Sequence, residues 1–213
     1  CGILTLPQKY GVYPAIILLH VSDRGTADIY KEYAAELVKS GYAIFRYDSP
    51  GKGKSTGNTF GETFEKRVEE ALAAINLLQT NPKINSENIG LWGISQGGWI
   101  CQMAAAKSEK VAFIIPVSGP GVSVPEQEIY RVEAESRASG FSEEEIKKAV
   151  LIRRLLVDIV LSVPKYKSIN KEEAENLGEG PWNNLISIAY PEKTLSNKEQ
   201  LDLEIESSLS PTI

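Results

Sequence analysis

The sequence predicts an α/β protein whose sheet is mostly parallel and carries helices on both faces. Unbroken apolar runs alternate, along the first half of the chain, with segments whose apolar residues recur at helical spacing. Such runs are typical of parallel strands that are buried on both faces, and strand–helix alternation joins these strands into one sheet. The predicted strands are residues 3–6, 15–20, 42–47, 89–94 and 111–117.

Helices are predicted between these strands, where apolar residues fall on one side of a helix and a stop signal follows. Gly41 ends the first of them, because glycine readily adopts the backbone conformation that closes a helix. These helices are residues 27–40, residues 60–79 and a third that begins just after residue 95.

The second half of the chain has a different pattern, because no convincing strand follows residue 117. Two helices are predicted there, residues 126–139 and 142–161, and a capping box of Ser142 and Glu145 opens the second. Ligands of α/β proteins bind at the carboxyl ends of the strands. We therefore expect residues 1–120 to form the α/β core and residues 121–213 to form a mostly helical lid over that end.

The segment Gly93-x-Ser95-x-Gly97 stands between a predicted strand and a predicted helix. A serine on a sharp strand-to-helix turn presents its hydroxyl at the end of the sheet, which is the arrangement of a catalytic nucleophile. Such a turn needs neighbours without side chains, and Gly93, Gly97 and Gly98 meet that need. The amino end of the following helix also favours a developing negative charge. Ser95 is therefore the candidate nucleophile.

These residues resemble the α/β-hydrolase superfamily, in particular its bacterial serine esterase and aminopeptidase-like branch. Besides the turn at 93–98, the resemblance is carried by residues 18–22, by the D-x-x-G-x-G-x-S segment at 48–55, and by residues 118–121. It implies that Ser95 attacks an ester or amide carbonyl. It also implies that the N–H groups of Gln96 and Ser22 bind the resulting oxyanion. Trp99, at the start of the following helix, is a further candidate for substrate contact.

A serine nucleophile needs a general base, and the chain holds one histidine, His20, which precedes Ser95. In this superfamily the order is serine, acid, histidine. The resemblance gives His20 a structural role in the oxyanion loop, although its use as the base stays open. We expect the acid and the histidine to lie outside these residues, in a complementing C-terminal segment or partner chain.

Three other interpretations stay open. A catalytically silent α/β-hydrolase fold would serve as a binding or interaction module, and an aminopeptidase-like enzyme would cleave amides. Residues 51–56, Gly-Lys-Gly-Lys-Ser-Thr, also suggest a phosphate-binding P-loop. Asp48 stands where a P-loop needs its first glycine, and loop residues follow where a helix should begin, so this nucleotide-binding alternative is disfavoured.

Composition limits the partners. The net charge of −5 argues against nucleic acid and anionic membranes, and no apolar run is long enough to span a bilayer. Two cysteines, Cys1 and Cys101, make no disulfide framework, and no residue cluster has metal-ligand spacing. We expect a small-molecule ester substrate, no metal and no cofactor. The chain begins with Cys1 rather than Met, which indicates a processed or truncated N-terminus and favours no particular compartment strongly.

Overall fold

A computed structural model describes most of the chain, namely residues 1–22, 25–58 and 63–161, of which residues 155, 156 and 158–161 are described as backbone only. The chain divides into two compact units. The first is Cys1–Gly121, and the second begins at Val122. The part of the predicted lid beyond residue 161 lies outside the described residues, so the lid stays a prediction.

The first unit is built on a sheet that, in the described part of the chain, has five strands. They are β1 (Gly2–Thr5), β2 (Tyr13–Leu19), β3 (Ala43–Tyr47), β4 (Ile84–Ile94) and β5 (Phe113–Val117). Their order across the sheet is β1-β3-β2-β4-β5. The pairs β2–β3, β2–β4 and β4–β5 are parallel, and only β1 runs antiparallel to its neighbour β3. The predicted fold class is confirmed.

The helices follow the strands as the periodicity predicts, with small differences at their ends. The predicted first helix opens as a 3-10 turn at Ala27–Tyr30 before it becomes α-helical. The second begins at Phe64 because Thr63 caps it, accepting a hydrogen bond from the Lys66 N–H at 3.4 Å. The α-helices are α1 (Lys31–Lys39), α2 (Phe64–Gln79), α3 (Gln96–Lys107), α4 (Val124–Ala138) and α5 (Glu143–Leu161).

Side chains of β2 alternate between two apolar layers, which places helices on both faces of the sheet. Ala15, Ile17 and Leu19 pack in one buried cluster with residues of α2 and α3. Ile16 and Leu18 pack on the opposite face with residues of the 3-10 turn and α1. Each fully buried Ile or Leu stabilises the fold by about 1.5–3 kcal/mol relative to an exposed position. The continuous apolar run of this strand is explained by burial on both faces.

The central strand β4 begins at Ile84 rather than at the predicted residue 89, so that boundary of the prediction is wrong. Ile84 is buried and pairs with Tyr13, and the ladder then resumes at Ala15 and Ile89. The polar residues 85–88 therefore form an irregularity in the strand. They resemble a turn in the sequence because a bulge, like a turn, leaves polar residues partly solvated.

In the second unit, α4 and α5 pack through apolar residues that include Val132, Ala149 and Ile152, all buried. The predicted capping box is present: the Ser142 N–H donates to Glu145 at 2.8 Å, and the Glu145 N–H donates to Ser142 Oγ at 3.4 Å. A second capping box, which the sequence reading missed, opens α4 at Ser123. The helix therefore starts at Val124, two residues before the predicted start at residue 126.

A search of the described helices for a transmembrane segment finds none with the length and apolarity that crossing a bilayer requires.

Candidate active site

Ser95 occupies a left-handed backbone conformation between the end of β4 and the start of α3. Its φ is 52° and its ψ is −119°. This region is strained for any residue with a β-carbon, and such residues concentrate at functional sites. Ser95 is also exposed, although Gly93 and Gly97 on either side of it are buried. The backbone thus presents one serine to solvent at the carboxyl end of the central strand.

Backbone hydrogen bonds fix this conformation. The Ser95 N–H donates to the Val117 carbonyl at 3.0 Å, and the Ser95 carbonyl accepts from the Gly98 N–H at 2.8 Å. The first bond ties Ser95 to the end of β5, and the second begins the turn of α3. The serine is therefore held by main-chain contacts that do not use its side chain.

Close backbone contacts explain the three glycines around Ser95. A β-carbon on Gly93 would lie 2.5 Å from the carbonyl carbon and oxygen of Gly97, closer than atoms can pack. One on Gly97 would lie 3.1 Å from the His20 carbonyl oxygen, and one on Gly98 would lie 2.5 Å from Gly119 Cα. Gly93 thus allows the turn to close on itself, and Gly97 and Gly98 allow two other segments to approach it.

Ser118 also has a positive φ, 48°, close to the 52° of Ser95. These two serines are the residues other than glycine with positive φ in the described part of the chain. They directly follow Ile94 and Val117, which pair across β4 and β5, so they end neighbouring strands. The sequence does not predict this backbone conformation at Ser118, because no local pattern there signals a positive φ.

The two N–H groups expected to bind an oxyanion follow neighbouring strands of the sheet. Gln96 is the first residue of α3, and Ser22 follows β2, whose last pairing with β4 joins Leu19 to Gly93. Within the described residues, neither N–H has a backbone acceptor. The Val21 N–H, by contrast, donates to the Tyr30 hydroxyl at 3.2 Å. Two candidate donors thus lie at the carboxyl edge on which Ser95 stands.

Arg67 connects the segments that carry these two donors. Its guanidinium donates to the Gln96 side-chain oxygen, to the His20 carbonyl, and at 3.4 Å to the Val21 carbonyl. Arg67 lies in the first turn of α2 and is 5% exposed. The sequence reading missed it, although a signal existed. Arg67 shares the buried face of α2 with Ala71, Ala74 and Leu78, where a charged residue is unexpected.

The His20 side chain points toward β3, on the side of β2 opposite to β4. It is buried, and its Nε2 lies 2.7 Å from the Tyr47 carbonyl at the end of β3. The strand order places β3 and β4 on opposite sides of β2, so this contact turns the ring away from the strand that carries Ser95. The contact supports the structural role that the resemblance implied for His20.

Asp48 organises the loop that was compared with a P-loop. Its carboxylate accepts hydrogen bonds from the N–H groups of Ala27 at 2.8 Å and Lys54 at 2.9 Å. These two bonds hold the pKa of the carboxyl below its ordinary value. No helix begins among residues 51–58, and α2 starts only at Phe64. A P-loop opens a helix directly, so the structure contradicts that alternative.

Trp99 is half-buried in the first turns of α3, and its ring centroid lies 5.7 Å from that of Phe64 on α2. This contact packs two helices together, and substrate contact by Trp99 remains a prediction. Cys101, two residues further along α3, is a buried free thiol. Burial raises its pKa to about 12, so it is not a nucleophile at neutral pH. In the described residues no His, Cys, Asp and Glu cluster could hold a metal ion.

Comparisons with known proteins agree with this geometry. The thiohydrolase aneE of Aspergillus aculeatus is 33% identical over 118 residues, which is 54% of this chain and 36% of that protein. Among solved structures, the α/β hydrolase GrgF from Penicillium sp. sh18 is 28% identical with a TM-score of 0.51. That match covers 65% of this chain and 49% of GrgF.

A second solved structure is Est1E from Butyrivibrio proteoclasticus with ferulic acid bound. It is 26% identical with a TM-score of 0.51, and the match covers 61% of this chain and 52% of Est1E. This chain thus spans about half the length of these two structures, and 36–38% of the first three curated relatives.

The model of one protein family, the X-Pro dipeptidyl-peptidases of family S15, matches residues 4–151. That range includes the strands β2 to β5, the turn at Ser95 and the helix α4. Two of the relatives named above are hydrolases by name, the thiohydrolase aneE and the α/β hydrolase GrgF. The chain belongs to the S15 peptidase family of the α/β-hydrolase superfamily.

Proposed function

We propose that this protein is a serine hydrolase that cleaves a carboxylic ester through an acyl-enzyme on Ser95. The observation that carries the proposal is the exposed, left-handed Ser95 between β4 and α3. A strained serine at this turn costs stability, and strain of this kind persists where it serves a function. The family match supports hydrolysis as the class of reaction.

In the proposed reaction, Ser95 Oγ attacks the ester carbonyl carbon, and its proton passes to a general base. The carbonyl oxygen becomes an oxyanion that the N–H groups of Gln96 and Ser22 bind. The C–O bond to the alcohol then breaks, and the base returns the proton to the departing alcohol. Water attacks the acyl-enzyme in the same way, which releases the acid and restores Ser95.

The general base of this reaction is proposed to be a histidine outside these 213 residues, in a complementing segment or partner chain. His20, the one histidine of the sequence, is buried with its Nε2 close to the Tyr47 carbonyl. That contact supports a structural role rather than proton transfer to Ser95. The acid that orients the base is proposed to lie in the same outside segment.

Fluorophosphonate labelling of the full-length protein tests the proposal, because an activated serine displaces fluoride from the reagent and becomes phosphonylated. We expect wild-type protein to be labelled on Ser95 and Ser95→Ala to show no labelling. Ser40→Ala is the matched control, since Ser40 is an exposed serine at the end of α1 and should leave labelling unchanged. Folded wild-type protein that stays unlabelled would instead favour the catalytically silent binding module.

The family description keeps an amide-cleaving peptidase as the second candidate. Two chromogenic substrates separate it from the esterase. An esterase hydrolyses p-nitrophenyl butyrate and leaves a dipeptidyl Xaa-Pro p-nitroanilide intact, whereas a dipeptidyl-peptidase cleaves the anilide after proline. Loss of either activity in Ser95→Ala assigns it to this site.

A further inference from the structure

Arg67 occupies a position that the stability of its own helix does not explain. It lies in the first turn of α2, where the helix dipole disfavours a positive charge. It is also buried, and burial of a guanidinium is costly unless its N–H groups are bonded. The contacts of Arg67 with residues outside α2 must therefore account for its placement.

Those contacts reach the two segments that carry the proposed oxyanion donors. One guanidinium nitrogen, Nη1, donates to the Gln96 side-chain oxygen at the start of α3. The other, Nη2, donates to the carbonyls of His20 and Val21 in the loop after β2. A planar guanidinium fork can bond both segments at once, whereas a lysine offers a single charged point.

Because the peptide bond is planar, these contacts also fix the directions of the N–H groups in the loop after β2. In a trans peptide, the C=O of one residue and the N–H of the next point in opposite directions, and this chain has no cis peptide bond in its described part. The His20–Val21 peptide is held from both sides, by Arg67 and by the Tyr30 hydroxyl. In the next peptide, Arg67 bonds the Val21 carbonyl, so the Ser22 N–H points away from the guanidinium.

The bond to Gln96 has a parallel effect. An unrestrained glutamine side chain can turn its own oxygen toward nearby N–H donors and compete with a substrate oxyanion. The Gln96 side-chain oxygen accepts a hydrogen bond from Arg67, so this acceptor is engaged by the guanidinium. Both donors are then left open at the same edge of the sheet.

We propose that Arg67 is a positioning residue that assembles the oxyanion site by joining the loop after β2 to the start of α3. The proposal rests on the proposed function, since it assigns a role in the same site. Arg67 acts through the backbone of Ser22 and Gln96 and is not itself proposed to touch the substrate.

The kinetic test compares Arg67→Met and Arg67→Lys with Arg46→Met. Arg46 is the matched control because it is also a buried arginine, 7% exposed, whose guanidinium donates to the Ala27 carbonyl at 2.9 Å rather than to either donor segment. We expect Arg67→Met to lower the rate of fluorophosphonate labelling by about tenfold to a hundredfold, as small misplacements of a reacting geometry do. Arg67→Lys should recover part of that rate, and Arg46→Met should label like wild type per folded molecule.

Labelling of Arg67→Met at the wild-type rate, or no slower than that of Arg46→Met, overturns the proposal. A second readout separates this failure from failure of the proposed function. If wild-type protein is not labelled at all, amide order parameters of Ser22 and Gln96 from NMR still test the positioning role. We expect Arg67→Met to lower them from a rigid value of about 0.85 toward 0.6, with no change in Arg46→Met. Unchanged order parameters in Arg67→Met overturn the proposal.

Discussion

Two glycine-rich turns of this chain look alike in sequence and differ in where their backbone is strained. In the turn at 51–57, three glycines adopt positive φ, with values of 70°, 53° and 96° for Gly51, Gly53 and Gly57. In the turn at 93–98, the glycines avoid positive φ and Ser95 adopts it instead. Glycines thus adopt the positive φ without a steric penalty in one turn, whereas a residue with a side chain adopts it in the other.

The glycines of the second turn serve close approach rather than unusual dihedral angles. Gly93 and Gly97 touch each other through their backbones, and Gly98 touches Gly119. These close backbone contacts leave the Ser95 side chain exposed. They also hinder its backbone from relaxing to a negative φ. The comparison indicates that a strained serine, more than glycine content, distinguishes a candidate catalytic turn from a structural one.

The largest effect is expected from adding a methyl group to the second turn. Gly93→Ala would place a β-carbon 2.5 Å from the backbone of Gly97, which cannot move without displacing α3. We expect a loss of at least about 3 kcal/mol in the free energy of unfolding, the upper end for an overpacked site. Gly57→Ala is the control, because a β-carbon there meets only Pro50 at 3.4 Å. Its positive φ should cost about 1–2 kcal/mol.

Chemical denaturation of the two variants measures both values. Equal losses in Gly93→Ala and Gly57→Ala would show that the two turns do not differ in the way described.

A smaller change is expected from Ser95→Gly, which should raise rather than lower the free energy of unfolding. Glycine relieves a left-handed conformation that costs a residue with a β-carbon about 1–2 kcal/mol. Its greater freedom in the unfolded chain offsets this gain by about 0.5–1 kcal/mol. The variant should therefore be more stable by up to about 1.5 kcal/mol and should lose all fluorophosphonate labelling. Ser40→Gly, at a residue with a φ of −78°, should gain no stability. A destabilised Ser95→Gly would contradict the strain at this position.

The smallest effect is expected at Asp48, whose carboxylate accepts a hydrogen bond from the Lys54 N–H in the turn at 51–57. Its pKa is held below the ordinary value of 3.8 by hydrogen bonds from two backbone N–H groups. The ionised carboxylate therefore stabilises the folded protein above the unfolded pKa, and this stabilisation is lost as the pH falls through the lower folded pKa. We expect wild-type protein to be more stable than Asp48→Asn at pH 7 and the difference to shrink as the pH falls below about 4.

Thermal unfolding of both proteins across this pH range measures the difference. A gap between wild type and Asp48→Asn that stays constant down to the lowest accessible pH would exclude the carboxylate as its cause.

Local patterns predicted the elements and the candidate nucleophile because both depend on neighbouring residues. The run at residues 15–20 predicted β2, and the G-x-S-x-G pattern with its flanking strand and helix singled out Ser95. The start of β4 was misplaced because Ile84 is held in the sheet by Tyr13, a partner far away in sequence. The same limit applies to Arg67, whose partners at residues 20, 21 and 96 lie on two other segments.

The amino-acid sequence by itself determined the α/β class, the position of Ser95 and the need for glycines beside it, because hydrophobic periodicity and turn chemistry act over a few residues. The tertiary structure alone decided that Ser118, like Ser95, has a positive φ, that His20 faces β3, and that Arg67 joins the two donor segments. These features arise when the parallel order of the strands brings their carboxyl ends to one edge, which no local pattern encodes.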